Sequence, residues 1–250
     1  MRGLKGQRVI VTGGASDIGR ATALRLAEEG CLVGIFDLNA EGAAETRTMA
    51  GSNSEAISTH KVDIVDYAQV EQAVRSFESE RGPVGLLANV AGWDKAKPFI
   101  ETDVEFWHQV IAINLYGPLN LQHVIAKGMA QRKFGRIVNV ASDAGRVGSS
   151  GEAVYSACKG GIAAFTKTLA RELARSGVTL NVVCPGPTDT PLFRSFGDQK
   201  LADALARAIP MGRLGQPDDC AGIIAFLLSD DAQFMTGETV SVSGGLTMHG

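Results

Sequence analysis

Cysteine is scarce and scattered: Cys31, Cys158, Cys184 and Cys220 include no C-x-x-C pair in 250 residues. Such spacing argues against a disulfide framework or a thiolate zinc site and points to buried, reduced thiols in a cytoplasmic protein. His60, His108, His123 and His249 show no ligand spacing either, so no metal is expected. An excess of one charge is also missing, since 24 Lys and Arg against 27 Asp and Glu leave a net charge of −3. No basic field is available for nucleic acid or an anionic membrane, and any phosphate has to be held by local backbone geometry. The longest apolar run, 223–228, falls far short of the roughly 20 residues of a membrane span. The first residues show no leader-like apolar stretch, so a protein that is neither membrane-bound nor exported is expected.

Against these absences stand a hydrophobic content of 45%, enough for a substantial core, and 30 glycines without a G-X-Y period. Short β-branched runs at 8–12, 32–36, 56–62, 84–90, 135–141, 178–184 and 239–242 read as strands. Amphipathic segments near 18–29, 40–50, 66–80, 103–132, 153–175 and 217–229 read as helices between them. This alternation predicts an α/β fold with a parallel sheet covered by helices on both faces. No repeat, linker or charge block divides the chain, so residues 1–250 read as one domain. Its main interruption, 185–215, is rich in Pro and Gly around a short helix at about 199–209. A connection of that length serves as a lid, here at about 187–215, or is a plain surface insertion.

The first predicted strand runs into Thr12-Gly13-Gly14-Ala15-Ser16-Asp17-Ile18-Gly19, and a helix opens at about Ile18. Glycines there permit a tight turn and let backbone N–H groups approach a pyrophosphate at the helix N-terminus. At the end of the second strand stands Asp37, a carboxylate suited to the ribose hydroxyls of an adenosine and repulsive to a 2′-phosphate. NAD is therefore expected rather than NADP.

Tyr155 and Lys159 lie at i and i+4 on one helical face, so the ammonium can approach the phenol and lower its pKa for acid/base work. Ser142 directly follows the strand at 135–141, at the carboxyl edge where parallel sheets bind ligands. Asn114 interrupts an apolar stretch and demands partners, either as a helix-to-helix hydrogen bond or as part of the site.

Together these motifs resemble the short-chain dehydrogenase/reductase family over nearly the whole chain. The resemblance implies a doubly wound Rossmann fold with a seven-stranded parallel sheet. It makes Asn114, Ser142, Tyr155 and Lys159 the catalytic tetrad, the asparagine organising a water that links the lysine to solvent. It assigns Gly13, Ser16, Asp17, Ile18 and Gly19 to the pyrophosphate turn, Asp63 to the adenine, and Asn89 and Gly92 to the strand end beside the adenosine. Tyr155 and Lys159 would also meet the nicotinamide ribose, and Pro185, Gly186, Thr188 and Thr190 the nicotinamide. The family pattern has glycine where this chain has Asp17, and the expected role of Asp17 is to cap the following helix. A homotetramer is implied, built on the long helices near 103–132 and 153–175.

For the substrate, residues 92–95, 141–152 and 243–248 resemble 2-hydroxycyclohexanecarboxyl-CoA dehydrogenases of aromatic-ring degradation. They imply NAD-dependent oxidation of a cyclic or aryl secondary alcohol, or reduction of the ketone, with or without CoA. Trp93, Asp143, Leu192 and Phe193 are the residues expected to touch it, with Phe196 and Leu201 from the lid. Two other readings stay open: a 3-oxoacyl-thioester reductase, and a non-catalytic NAD-binding sensor on the same fold.

Overall fold

The computed structural model describes residues 1–195 and 199–248; Phe196 and Gly197 of the expected lid, and His249, lie outside the described residues. Its first half contains β1 (Arg8–Thr12), α1 (Asp17–Glu28), β2 (Leu32–Asp37), α2 (Ala40–Met49), β3 (Ile57–Lys61), α3 (Tyr67–Arg81) and β4 (Leu86–Asn89). Next come α4 (Val104–Ile111), α5 (Gly117–Arg132), β5 (Gly135–Val140), a short α6 (Ala144–Val147) and α7 (Ala153–Leu173). The last part holds β6 (Val178–Pro185), α8 (Pro191–Arg194), α9 (Gln199–Ala208), α10 (Pro217–Leu228) and β7 (Thr239–Val242). Strand and helix boundaries match the sequence periodicity to within about two residues.

All strand pairs are parallel in one seven-stranded sheet of order β3-β2-β1-β4-β5-β6-β7. Parallel strands buried on both faces become nearly continuous apolar runs, as in β1 and β5. One face packs Ala23, Leu26, Ile224 and Leu227 of α1 and α10 against Val9, Val11 and Val138. The other packs Val70, Phe77, Leu121 and Ile125 of α3 and α5 against Ile10, Leu87 and Ile137. The strand order reverses between β1 and β4, the position at which such sheets open a crevice. There the Thr12 hydroxyl accepts hydrogen bonds from the Val90 and Ala91 N–H groups at 3.0 and 3.1 Å and fixes the two strand ends together.

The long helix expected at 103–132 is divided. Residues Ala112–Tyr116 form a π-helical turn between α4 and α5. Pro118 has no N–H to return to the Asn114 carbonyl, and the Asn114 side chain donates to Val110 O at 2.9 Å, so the helical register widens by one residue there.

Beneath the crevice, a buried polar network joins the sheet to two helices. Asn139 accepts from Asn89 Nδ2 at 2.8 Å and donates to Gln122 Oε1 at 3.1 Å and Thr166 Oγ1 at 2.9 Å. Each link offsets the cost of burying its neighbour, and together they fix α5 and α7 on β4 and β5. Replacing Asn139 by Ala removes three buried hydrogen bonds at once. The expected loss is about 3 kcal/mol of unfolding free energy, read from the denaturant midpoint of the variant.

Candidate active site

A cavity of about 850 Å³ opens along the carboxyl ends of the strands. Its cofactor end begins at Gly13, whose φ is +70° and where a Cβ would come within 2.9 Å of Ala91 Cα. A Cβ on Gly19 would overlap the Gly13 carbonyl, so glycine is required at both positions for the turn to close. Ser16 occupies the N-cap position of α1 without a side-chain cap bond, and the first-turn amides of that helix face the cavity end where Ser16, Asp17, Ile18 and Gly19 form the wall. Open helix N-terminal amides in a tight glycine cradle suit a pyrophosphate, and the residues present fit a nicotinamide dinucleotide.

Asp17 does not cap α1. It is the first helical residue, its φ is +52°, and the Ser16 hydroxyl donates to its carboxylate at 3.4 Å. The left-handed backbone explains why glycine suits this position and why a side chain here is strained. Burial raises the Asp17 acid above the ordinary carboxylate range, while Ser16 and Arg20 pull it down. Asp37 ends β2 on the cavity wall, accepting from the Ala15 and Asn39 amides at 3.0 and 2.9 Å, and Asp63 is also on the wall with its Oδ1 taken by Val65 N–H. Asn89 is a correction: it lies in the core network with Asn139 instead of facing the cavity, and Val90, Ala91 and Gly92 line the wall in its place. Strand alternation turns its side chain away from the crevice.

The reacting end brings Ser142, Tyr155, Lys159 and Asn114 together. Ser142 follows β5, and its hydroxyl accepts from the Ala144 N–H at 3.1 Å. Tyr155 and Lys159 share the cavity-facing side of α7, with Nζ 5.3 Å from the phenol ring centre. Lys159 is only 3% exposed, and Nζ donates to Val140 O at 3.0 Å. Burial pulls its pKa down to about 8. The phenol moves the other way: burial first, then Glu152 and Asp94, push Tyr155 up, and a hydrogen bond with Ser142 pulls it down. The expected lowering of the phenol pKa by the lysine is therefore outweighed in this arrangement. Asn114 is fully buried, donating to Trp93 O at 2.6 Å and Val110 O at 2.9 Å and accepting from Trp93 N–H at 3.2 Å. A Cβ on Gly92 would stand 3.0 Å from Asn114 Oδ1 and 3.3 Å from Lys159 Nζ, so glycine is what lets these groups approach.

The family model described as enoyl-(acyl carrier protein) reductase matches residues 13–247. The acetoacetyl-CoA reductase of Shinella zoogloeoides is 38% identical over 237 residues, 94% of this chain and 96% of that one. The chain belongs to the short-chain dehydrogenase/reductase family. The 3-oxoacyl-(acyl-carrier-protein) reductase of Escherichia coli is 35% identical over 244 residues, 98% of each chain. Among solved structures, a 3-ketoacyl-(acyl-carrier-protein) reductase from Brucella melitensis with NADH superposes with a TM-score of 0.91 at 30% identity, covering 98% of this chain and all of that one. An actinorhodin polyketide ketoreductase variant with NADPH gives 0.94 at 32% identity, with 100% of both chains covered. Like other members of the family, this chain is an oxidoreductase of CH–OH or keto groups that binds a nicotinamide cofactor.

These relatives overturn the expectation of a cyclic or aryl secondary-alcohol dehydrogenase of aromatic degradation, because they are named as reductases of acetoacetyl-CoA and of 3-oxoacyl carrier protein. The loops that suggested a ring-shaped substrate serve the frame of the family site. The Trp93 backbone holds Asn114, and the Ser243 hydroxyl accepts from Thr247 N–H at 3.1 Å. Asp143, expected to touch substrate, has both carboxylate oxygens within 2.7 Å of the Ser241 hydroxyl and clamps the turn after β5 to β7. Leu192 and Phe193 do line the cavity, as do Trp93, Leu201 and Leu205. Thr188 and Thr190 also line it with their hydroxyls engaged, Thr188 donating to Gly186 O and Thr190 capping α8 by accepting from Phe193 N–H. Pro185 and Gly186 complete the wall beside the Ser142–Asp143 turn, where the Asp143 N–H donates to Pro185 O at 3.0 Å.

Asp94 and its neighbour Glu152 are assigned no role from the sequence alone. Asp94 is 3% exposed, and burial, together with the neighbouring Glu152, pushes its acid up to about 6 although the Lys95 amide and Lys159 oppose this. Nothing local marks Asp94 as buried, since it lies between Trp93 and Lys95 in a polar, loop-like stretch.

Two outcomes follow from Asp17 and Asp94. Asp17→Gly relieves a left-handed aspartate and removes a charge from the turn, so it gains about 1 kcal/mol of stability and tightens binding of the reduced nicotinamide cofactor several-fold, measured by denaturation and fluorescence titration. Asp94→Asn raises the denaturation midpoint near pH 8, where folding otherwise confines an ionised carboxylate. The gain fades as pH falls below about 6, because the folded wild-type protein then holds Asp94 neutral.

Proposed function

We propose that the protein is a 3-oxoacyl-thioester reductase that interconverts a 3-oxoacyl and a 3-hydroxyacyl thioester with NADH. The observation that carries this reading is the meeting of Ser142, Tyr155 and Lys159 at one end of a cavity whose other end is a pyrophosphate-type glycine turn. The names of the relatives support a 3-oxoacyl substrate. Asp37 supports NADH, because its carboxylate stands at the end of β2, where a 2′-phosphate would be repelled.

When bound, the nicotinamide exchanges hydride with the carbon of the keto or alcohol group. The Ser142 hydroxyl donates a hydrogen bond to the substrate oxygen and holds it beside the phenol. Tyr155, protonated because burial and two nearby acids favour the neutral phenol, gives its proton to that oxygen during reduction. Lys159 stabilises the phenolate that results, and Asn114 keeps the lysine pocket closed through the Trp93 backbone. Leu192, Phe193, Leu201 and Leu205 cover the acyl end and exclude water.

Association into a homotetramer belongs to the same reading, supported by the exposed apolar side chains of Val104 and Tyr116 on and beside the helices that would pair. So does a cytoplasmic location: among the described residues no helix is long and apolar enough to cross a membrane.

The test is steady-state reduction of acetoacetyl-CoA with NADH and with NADPH. NADH should give the higher kcat/KM by about tenfold or more, and Asp37→Ala should narrow that ratio. Tyr155→Phe should lower kcat by about 10² to 10⁴. No turnover with either cofactor would favour the NAD-sensing alternative, and full activity of Tyr155→Phe would remove the mechanism.

A further inference from the structure

The charged side chains lining the cavity are unbalanced. Six are carboxylates, from Asp17, Asp37, Asp63, Asp94, Asp143 and Glu152, and among the described residues Lys159 is the one cation. At the cofactor end Asp37 and Asp63 are neutralised in part by backbone N–H groups, and at the reacting end Asp143 is clamped by Ser241. Asp94 and Glu152 are different. Asp94 is 3% exposed, and its Oδ2 is buried without a hydrogen-bond partner. Its side-chain neighbour Glu152 is another acceptor when ionised, so the two carboxyls can satisfy each other only by sharing a proton. Tyr155, Cys158 and Lys159 of α7 face this pair. Lys159 has a backbone acceptor of its own, Val140 O, and among the described residues no Arg lines the cavity to receive a carboxylate from a ligand.

This arrangement bears on what can lie against Tyr155. In a 3-oxo acid the carboxyl carbon is two bonds from the keto carbon, about 2.5 Å away. A keto oxygen placed between Ser142 and Tyr155 therefore brings a free carboxylate into the part of the cavity that Asp94 and Glu152 line, where both already act on the Tyr155 phenol. A like charge at that range in a partly dehydrated site costs well over an order of magnitude in binding. Esterifying the carboxyl, through sulfur or oxygen, removes the charge and keeps the skeleton.

We propose that Asp94 and Glu152 are specificity determinants that admit an uncharged 3-oxoacyl group and reject the free 3-oxo carboxylate, so that the acid reaches Tyr155 only when masked as a thioester. The inference rests on the 3-oxoacyl reading above and deepens it: it assigns the selection for masked acids to a named pair of side chains.

Acetoacetate and methyl acetoacetate separate charge from skeleton. Their kcat/KM values with NADH, alongside acetoacetyl-CoA, are measured for the wild-type protein, Asp94→Asn, Glu152→Gln and the double variant. Binding of acid and ester to the Tyr155→Phe protein with NADH is followed by calorimetry. The wild-type ester-to-acid ratio should be on the order of a hundred near pH ~8, and each variant should lower it about tenfold. In the wild-type protein the ratio should also fall towards pH ~5.5, where Asp94, whose acid is pushed up to about 6, takes up a proton and acetoacetate stays ionised. The double variant should lose that pH dependence, a change that a purely structural role of the pair would not produce. Equal use of acid and ester by the wild-type protein, or a ratio unmoved in both single variants, overturns the proposal. Failure with acetoacetyl-CoA alongside intact ester-to-acid discrimination defeats the thioester reading and leaves charge selection standing. If neither small substrate is turned over, the calorimetric ratio decides on the same terms.

Discussion

Burying the amine of Lys159 at the end of β5 is costly, and much of the local structure follows from meeting that cost. Nζ has one fixed acceptor, the Val140 carbonyl, which exists at that point because β5 ends there and the chain turns towards Ser142. The segment that follows the neighbouring strand β4 must place a residue without a side chain at position 92, since a Cβ on Gly92 would crowd both Nζ and the Asn114 amide. Asn114 in turn can reach the Trp93 backbone from a helix that has loosened by one residue, and Pro118 and the Asn114-to-Val110 bond provide that loosening. A strand order that sets β4 beside β5, with α7 packed on β5 and β6, is what brings these pieces within reach.

The electrostatics of the cavity divide between side chains and backbone. With six acids and one lysine on the wall among the described residues, side chains offer an anionic dinucleotide little attraction. The attraction has to come from aligned peptide dipoles at the start of α1, which is why the turn depends on Gly13 and Gly19 and on a left-handed residue at Asp17. An aspartate in that conformation keeps the backbone path of a glycine while adding strain and negative charge. Affinity for the cofactor and the shape of the turn are thus separable properties at this position.

What could be read from the sequence was local. The strand, glycine turn and helix at 8–28 follow from period and spacing, and so does the shared helical face of Tyr155 and Lys159. What could not be read depends on distant partners. The direction of Asn89 is hidden because parallel strands covered on both faces lose the alternation that marks inside from outside. Asp143 resembled a substrate contact until Ser241, 98 residues later in the chain, proved to hold it. Asp94 and Glu152 are 58 positions apart, and only the closed cavity makes neighbours of them. The shape of the substrate was the least legible feature, because the loop residues that suggested a ring support the frame common to the family.

Burial acts on the two central groups in opposite senses, and this sets the protonation state from which the proposed reaction starts. A dehydrated phenol keeps its proton and a dehydrated amine tends to lose one, so Tyr155 rises while Lys159 falls to about 8. Reduction begins from the neutral phenol and uses its proton, whereas oxidation must first ionise Tyr155 against burial and against Asp94 and Glu152. The same two acids therefore oppose a free carboxylate on the substrate and oppose the phenolate on the protein. Both effects favour a neutral ketone meeting a neutral acid, and a negative charge forms only as hydride arrives.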